Sequence, residues 1–171
     1  MPIRKIQELS EYLPKEGRLL GLDLGTKTIG LAISDVLRSI ASPYSTIIRK
    51  KFSQDASALE SIIDNEQISA LILGLPINMD GTIGPRAQST KQFGDNLAEK
   101  MKIQVAFWDE RLSTVAVSKT MIEADLSRAK RAKIVDKMAA TYILQGALDF
   151  LRNENGGQYA PFLGSNALDR A

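Results

Sequence analysis

Histidine and cysteine are both absent from this 171-residue chain. That excludes Ser-His-Asp triads, thiol nucleophiles, histidine general bases and zinc held by imidazole or thiolate. Chemistry here falls to carboxylates, hydroxyls, lysines and backbone amides, and any metal would be a hard cation held by oxygen. Three carboxylates stand in unusual places. Asp23 lies between Leu22 and Leu24 in an apolar run. Acids are depleted in strands, and burying an ionised one without a partner is costly. Alternation turns its side chain away from the face of those leucines. It is either a site residue or an early turn cap. Glu110 follows Phe107-Trp108-Asp109. Ligands gather at the carboxyl ends of parallel strands, although an acid there can also serve the dipole of a following helix. Asp136 has Ala139 and Ala140 at i+3 and i+4, small residues that let a helix approach a sheet closely. The plainer reading is a first-turn acid, or an ion pair with Lys133 or Lys137.

Taken together, the three come from a first strand, the tip of a last strand and a last helix. All can converge on one end of a sheet. Three carboxylates without histidine form a ligand set for Mg²⁺ or Mn²⁺. Two such ions about 3.5–4 Å apart can clamp a phosphodiester for in-line attack by water.

The elements that must position these acids follow from periodicity. Ile3, Ile6, Leu9 and Leu13 predict a short amphipathic helix, ended by Pro14 and Gly17. Arg18 to Gly25, Ile29 to Ser34 and Tyr44 to Ile48 read as strands. The first two are joined by the turn Gly25-Thr26-Lys27-Thr28, and a second turn at Ser42-Pro43 precedes the third. The period then predicts a helix from Ser53 to Asn65, a strand over Ala70 to Gly74 and a helix from Arg86 to Lys100. A fifth strand follows from Ile103 to Phe107, then helices over Thr114–Ala124 and Ile134–Leu151. Strands joined by short turns run antiparallel, and strands separated by helices run parallel. The expectation is an α/β fold: a mixed five-stranded sheet, an antiparallel meander plus parallel strands, flanked by helices. Residues 1–17 read as an N-terminal extension, 18–152 as one domain, and 153–171 as a mobile tail rich in Asn, Gly, Ser and Ala.

The formal net charge is +2. Between Ser127 and Lys137, five cations (Arg128, Lys130, Arg131, Lys133 and Lys137) face one acid, Asp136. This local +4 leaves −2 for the rest of the chain and points to a docking face for an anion, nucleic acid among the candidates. The ordinary alternative is a solvated helix face. No signal peptide is visible, and no run approaches the roughly 18–20 apolar residues of a membrane span, so a soluble cytoplasmic protein is expected.

Four blocks carry a resemblance. Gly21-Leu22-Asp23-Leu24-Gly25 with Ile29-Gly30-Leu31-Ala32 resembles the opening hairpin of the RNase H-like superfamily. Gly74 to Thr82 with Gly84-Pro85-Arg86-Ala87, Asp109 to Thr114, and Val135-Asp136 with Ala139-Ala140 narrow the match. They resemble a bacterial family known both as Holliday junction resolvases and as pre-16S rRNA nucleases, over about Arg18 to Leu151. The resemblance implies a cytoplasmic, Mg²⁺- or Mn²⁺-dependent nuclease with an RNase H-like fold that trims the 5′ end of the small-subunit ribosomal RNA precursor. It carries over Asp23, Glu110 and Asp136 as catalytic and metal-binding acids. A fourth acid is not obvious, Asp35 and Asp109 being the nearest candidates.

On this reading Lys27 and Arg111 would hold the scissile phosphate or its neighbour, with Arg111 alternatively pairing Asp109. Arg86 is a candidate RNA contact. Arg128, Lys130, Arg131 and Lys133 would bind flanking phosphates without sequence choice. Aromatic residues are 6% of the chain and none is interleaved with the basic cluster, which argues against a base-stacking platform. Trp108 reads as core. The rival readings are a resolvase acting on branched DNA and a non-catalytic RNA-binding module. A third, an ATP-dependent phosphotransferase using Asp23 to Thr28 as a phosphate loop, would require two such domains. A junction resolvase would work as a dimer, but no segment declares a dimer surface, and monomer and homodimer both stay open.

Overall fold

A computed structural model of the chain describes residues 3–112 and 128–154, with side chains throughout except at 128–136 and 154. In chain order the elements are β1 (Ile3–Arg4), a 3₁₀ helix (Ile6–Tyr12), β2 (Arg18–Leu24), β3 (Thr28–Ser34) and β4 (Ala41–Ile48). Then come α1 (Phe52–Glu66), β5 (Ile68–Leu75), α2 (Pro85–Met101), β6 (Gln104–Asp109), a 3₁₀ turn (Glu110–Leu112) and α3 (Arg128–Glu154). The strands form one mixed sheet in the order β1-β6-β5-β2-β3-β4. The meander β2-β3-β4 is antiparallel, while β5 and β6 join β2 in parallel through the α1 and α2 crossovers.

The sheet has six strands where the sequence predicts five. The extra one is Ile3–Arg4, parallel to Val105–Ala106 of β6. Two residues are too few to carry an alternation signal. The helix after it is 3₁₀, which suits apolar residues spaced by three, because i and i+3 eclipse in that geometry. Leu9 is fully buried against the sheet, with Ile6 and Leu13 packed beside it. The third strand also begins earlier than expected, at Ala41, and runs through Pro43. The edge position of β4 tolerates the proline, and the ladder shifts register there: Leu31 pairs with Ser45 but Ala32 with Pro43. The last helix starts at Arg128, not Ile134. Its first turns are the basic cluster, made of good helix formers that carry no apolar period to read. The helix predicted over 114–124 and the tail beyond 154 lie outside the described residues.

Side chains alternate across the sheet and divide the core in two. Leu20, Leu22 and Leu24 of β2, Leu71 and Leu73 of β5, and Val105 of β6 face α1 and α2. Leu19, Ala70, Ile72, Ala106 and Trp108 face α3. Trp108 is buried there, edge-on to Phe150 at 6.1 Å, so it is core and not a stacking residue. Two glycines let α3 lie close. A Cβ on Gly21 would stand 2.8 Å from the Leu144 Cβ and 3.1 Å from the Ala140 carbonyl, and a Cβ on Gly74 would fall inside the Ile143 side chain. No helix among the described residues is long and apolar enough to cross a membrane.

Candidate active site

The parity that buries Leu22 and Leu24 toward α2 turns Asp23 toward α3. Its side chain is 2% exposed. Its partner across the β2–β3 ladder is Gly30. On the other side, Leu22 pairs with Leu73, so one step further along the same parallel register lies Gly74. Asp23 is therefore flanked on both neighbouring strands by glycines, and the space over Gly74 is taken by the Ile143 side chain and Glu110 Oε2.

Glu110 enters from the far side of β5. It stands one residue beyond β6, where Gly74 pairs with Trp108 and Leu75 with Asp109. The 3₁₀ turn that opens at Glu110 directs its side chain back over β5, and its Oε2 stands 2.9 Å from the position a Cβ on Gly74 would take. Glu110 thus reaches over the strand position that lies beside Asp23 in the ladder.

The third expected acid, Asp136, lies on α3 one turn before Ala140, the residue whose carbonyl covers Gly21. The direction of the helix places that turn. Gln145 accepts from the Ala41 N–H, and Arg152 donates to the Ser39 carbonyl, so the C-terminal half of α3 runs toward the 35–41 loop. That loop closes the end of the sheet where β2 begins, and position 136 lies toward the opposite end, with Asp23. The Asp136 side chain lies outside those described. Among the described residues no three acids form a metal-binding group.

Neither candidate for a fourth acid is free to join. Asp35 sits at the opposite end of the sheet, just past β3. Its Oδ1 accepts from the Ser39 N–H at 2.8 Å and the Ile40 N–H at 2.9 Å. Burial works to raise its pKa, but these backbone N–H bonds outweigh it and hold the carboxyl below the ordinary range. Asp109 is at the right end but is gripped by Arg111. The guanidinium forks onto both oxygens, with Nη2 to Oδ2 at 2.7 Å. Hydrogen bonding from that guanidinium holds the Asp109 carboxyl low.

The remaining cations at this end divide by what they touch. Lys27 is exposed in the β2–β3 turn. Arg111 spends its fork on Asp109, and its Nη1 borders Gly81 of the loop before α2. That loop is shaped by its own polar groups. The Asp80 carboxylate accepts from the Thr82 hydroxyl and N–H, and Asn78 donates to the Thr82 hydroxyl at 2.9 Å. Arg86 donates to the Leu24 carbonyl at 3.2 Å. Arg49, which the sequence reading passed over, donates to the next carbonyl, Gly25, at 2.6 Å. Only the pairing of β4 with β3 brings it there; its N–H bonds the Lys27 carbonyl. Residues 128–133 are helical, with side chains outside those described.

Among the described residues the Asp23 end offers two carboxylates, one almost wholly buried and a second brought over the neighbouring strand. That chemistry fits a hard divalent cation and suits neither a soft metal nor covalent catalysis by histidine or cysteine.

The sequence model of the family described as "RuvX: Holliday junction resolvase" matches residues 17–150. A protein of Paramagnetospirillum magneticum named "Putative pre-16S rRNA nuclease" is 57% identical over 149 residues, covering 87% of this chain and 96% of its own. A protein of the same name from Ruegeria pomeroyi is 53% identical over 148 residues, covering 86% and 96%. Among solved structures, Thermus thermophilus RuvC in complex with a Holliday junction substrate superposes with a TM-score of 0.51 at 14% identity. It covers 80% of this chain and 96% of RuvC. At that identity the likeness is one of fold, and it agrees with the RNase H-like expectation.

Proposed function

This chain belongs to the RuvX family, and on that premise we propose that it is a nuclease that hydrolyses phosphodiester bonds at the Asp23 end of its sheet. Its substrate is the precursor of 16S ribosomal RNA, cut on the 5′ side of the mature sequence during ribosome biogenesis. Relatives above 50% identity that bear the nuclease name support this substrate over branched DNA. The observation that carries the catalytic reading is that Glu110 reaches over Gly74, the strand position beside the buried Asp23.

Asp23, Glu110 and Asp136 would hold Mg²⁺ or Mn²⁺. When bound, the cation neutralises the attacked phosphate and lowers the pKa of water at the site, the work that histidine does elsewhere. The protein's own part is positional. The strand backbone fixes Asp23 between two glycines, and Gly74 admits Glu110 beside it. Glu110 is set by the turn after β6, and α3 carries Asp136 to the same end. Lys27 and Arg86 engage phosphates beside the cut. Arg111 holds Asp109 in a forked ion pair and presents its remaining N–H groups to the same strand. Arg128, Lys130, Arg131 and Lys133 extend the contact along the backbone without reading bases.

The test is cleavage with Mn²⁺ of a single-stranded RNA, a pre-16S 5′ fragment and a four-way DNA junction. Wild type runs beside Asp23→Asn and Glu110→Gln. The expected result is cutting of the pre-16S fragment, reduced at least about a hundredfold in either variant, since altering even groups behind metal ligands costs 10–100-fold. Activity unchanged in Asp23→Asn would remove the site. Cutting of the junction alone would move the substrate to branched DNA.

A further inference from the structure

Arg49 and Arg86 meet across a small cleft on the face of the sheet opposite the carboxylates. Arg49 stands 5.5 Å over the ring of Phe93, which belongs to the core beneath α1 and α2. The two guanidiniums hold consecutive carbonyls at the tip of β2, Arg86 on Leu24 and Arg49 on Gly25. The cleft between them, about 70 Å³, is also lined by Thr26 and Ser89, and no carboxylate lines it. Among the described residues neither arginine makes an ion pair. Two cations held side by side repel unless an anion lies between them. Each guanidinium has five N–H donors and spends one on its carbonyl, so several on each side remain for an oxyanion. Arg49 is also stacked and tied, so little freedom is lost when it binds.

We infer that Arg49 and Arg86 together seat one backbone phosphate of the strand being cut, next to the scissile one. This rests on the nuclease reading above. The Gly25–Thr26 turn separates the cleft from Asp23, so the strand lies over the tip of the β2–β3 hairpin. One phosphate faces the acids and its neighbour drops into the arginine cleft. Arg49 thereby becomes a substrate-binding residue, and its partnership with Arg86 fixes the register of the cut.

The experiment uses the full chain carrying Asp23→Asn, so that RNA is bound without being cut. Affinity for a short fluorescein-labelled single-stranded RNA is measured against KCl concentration. Each phosphate released from a single strand lowers the log–log salt slope by about 0.7. The Arg49→Gln/Arg86→Gln double variant is expected to lose about that one increment and about tenfold in affinity. Arg49→Lys, which keeps the charge but not the fork, is expected to fall between. In the cleaving protein, Arg86→Gln alone, which changes an exposed side chain, is expected to blur the cleavage position.

If Arg49 only braces the hairpin through Gly25, its loss lowers the melting temperature and leaves the salt slope unchanged, which overturns the proposal. An unchanged slope in Arg86→Gln overturns it equally. Failure of the nuclease reading has a different signature: wild type cuts nothing with Mn²⁺, or Asp23→Asn cuts as well as wild type.

Discussion

Oε2 of Glu110 lies 2.9 Å from the point where a side chain on Gly74 would begin. An acid at the end of one strand thus occupies the space above its neighbour, in the direction of Asp23. The glycine makes that approach close. A methyl group there would crowd both the end of the Ile143 side chain and the carboxylate, and both must shift. Gly74→Ala is expected to cost about 1–3 kcal/mol of stability, as overpacked cores do, and to lose cleavage beyond what that loss explains. Denaturant unfolding and a Mn²⁺ titration of cleavage check this. A variant that is destabilised but fully active at saturating Mn²⁺ would show that Glu110 is not a ligand.

Asp35 provides the opposite case. Its carboxylate accepts two backbone N–H groups in the 35–40 turn, far from the active end. Asp35→Ala is expected to keep wild-type cleavage and to lose about 1 kcal/mol, the modest end for bonds to a charged but exposed acceptor. Its folded pKa is depressed, so this contribution is present above the ordinary carboxylate pKa. It fades as pH falls through the lowered value. The difference in melting temperature between variant and wild type should therefore be largest near neutrality and close in acid. Lost activity at unchanged fold would reinstate Asp35 as a site residue.

The sequence makes one half of this site legible and hides the other. Asp23 stands out because an acid between leucines conflicts with strand burial. Glu110 stands out because it follows a strand that alternates cleanly. The glycine between them does not: Gly74 matters only once β5 is known to lie between β2 and β6, a topological fact. Arg49 is hidden for the same reason, since it follows an edge strand and reaches Gly25 only through hairpin pairing. Most of the elements are legible to within a few residues. Ile3–Arg4 is not, being too short for any period, and neither is the start of α3, where charged helix formers precede the first apolar residue. Pro43 reads as a turn although an edge strand with a register shift accommodates it.

Arg111 and Asp109 give a prediction in pH. The fork from Arg111 holds the Asp109 carboxyl below its ordinary range, so the pair stabilises the fold above that range and stops doing so as Asp109 is protonated. Arg111→Gln is expected to lower the melting temperature slightly at neutral pH and to flatten its fall below about pH 5. Both partners are near the surface, so added salt should shrink the difference. A wild-type and variant pair that stay parallel down through the acid range would mean that the pair carries no pH-dependent stability.

The position of Asp136 rests on how closely α3 lies against β2, and Gly21 sets that distance. A Cβ there would stand 2.8 Å from the Leu144 Cβ and 3.1 Å from the Ala140 carbonyl. Neither atom can rotate away, because both belong to the framework of the helix, so α3 must lift. Position 136 is one turn further along and moves with it. Gly21→Ala is expected to cost about 1–3 kcal/mol and to raise the Mn²⁺ concentration needed for half-maximal cleavage. RNA affinity without divalent ions should change less than the Mn²⁺ midpoint, since Arg49 and Arg86 on the opposite face stay in place and only the cations of α3 shift with the helix. Hydrogen exchange would report the lifted helix as faster exchange in residues 137–147. A destabilised variant with an unaltered Mn²⁺ midpoint would separate α3 from the metal-binding set and leave Asp23 and Glu110 to act without it.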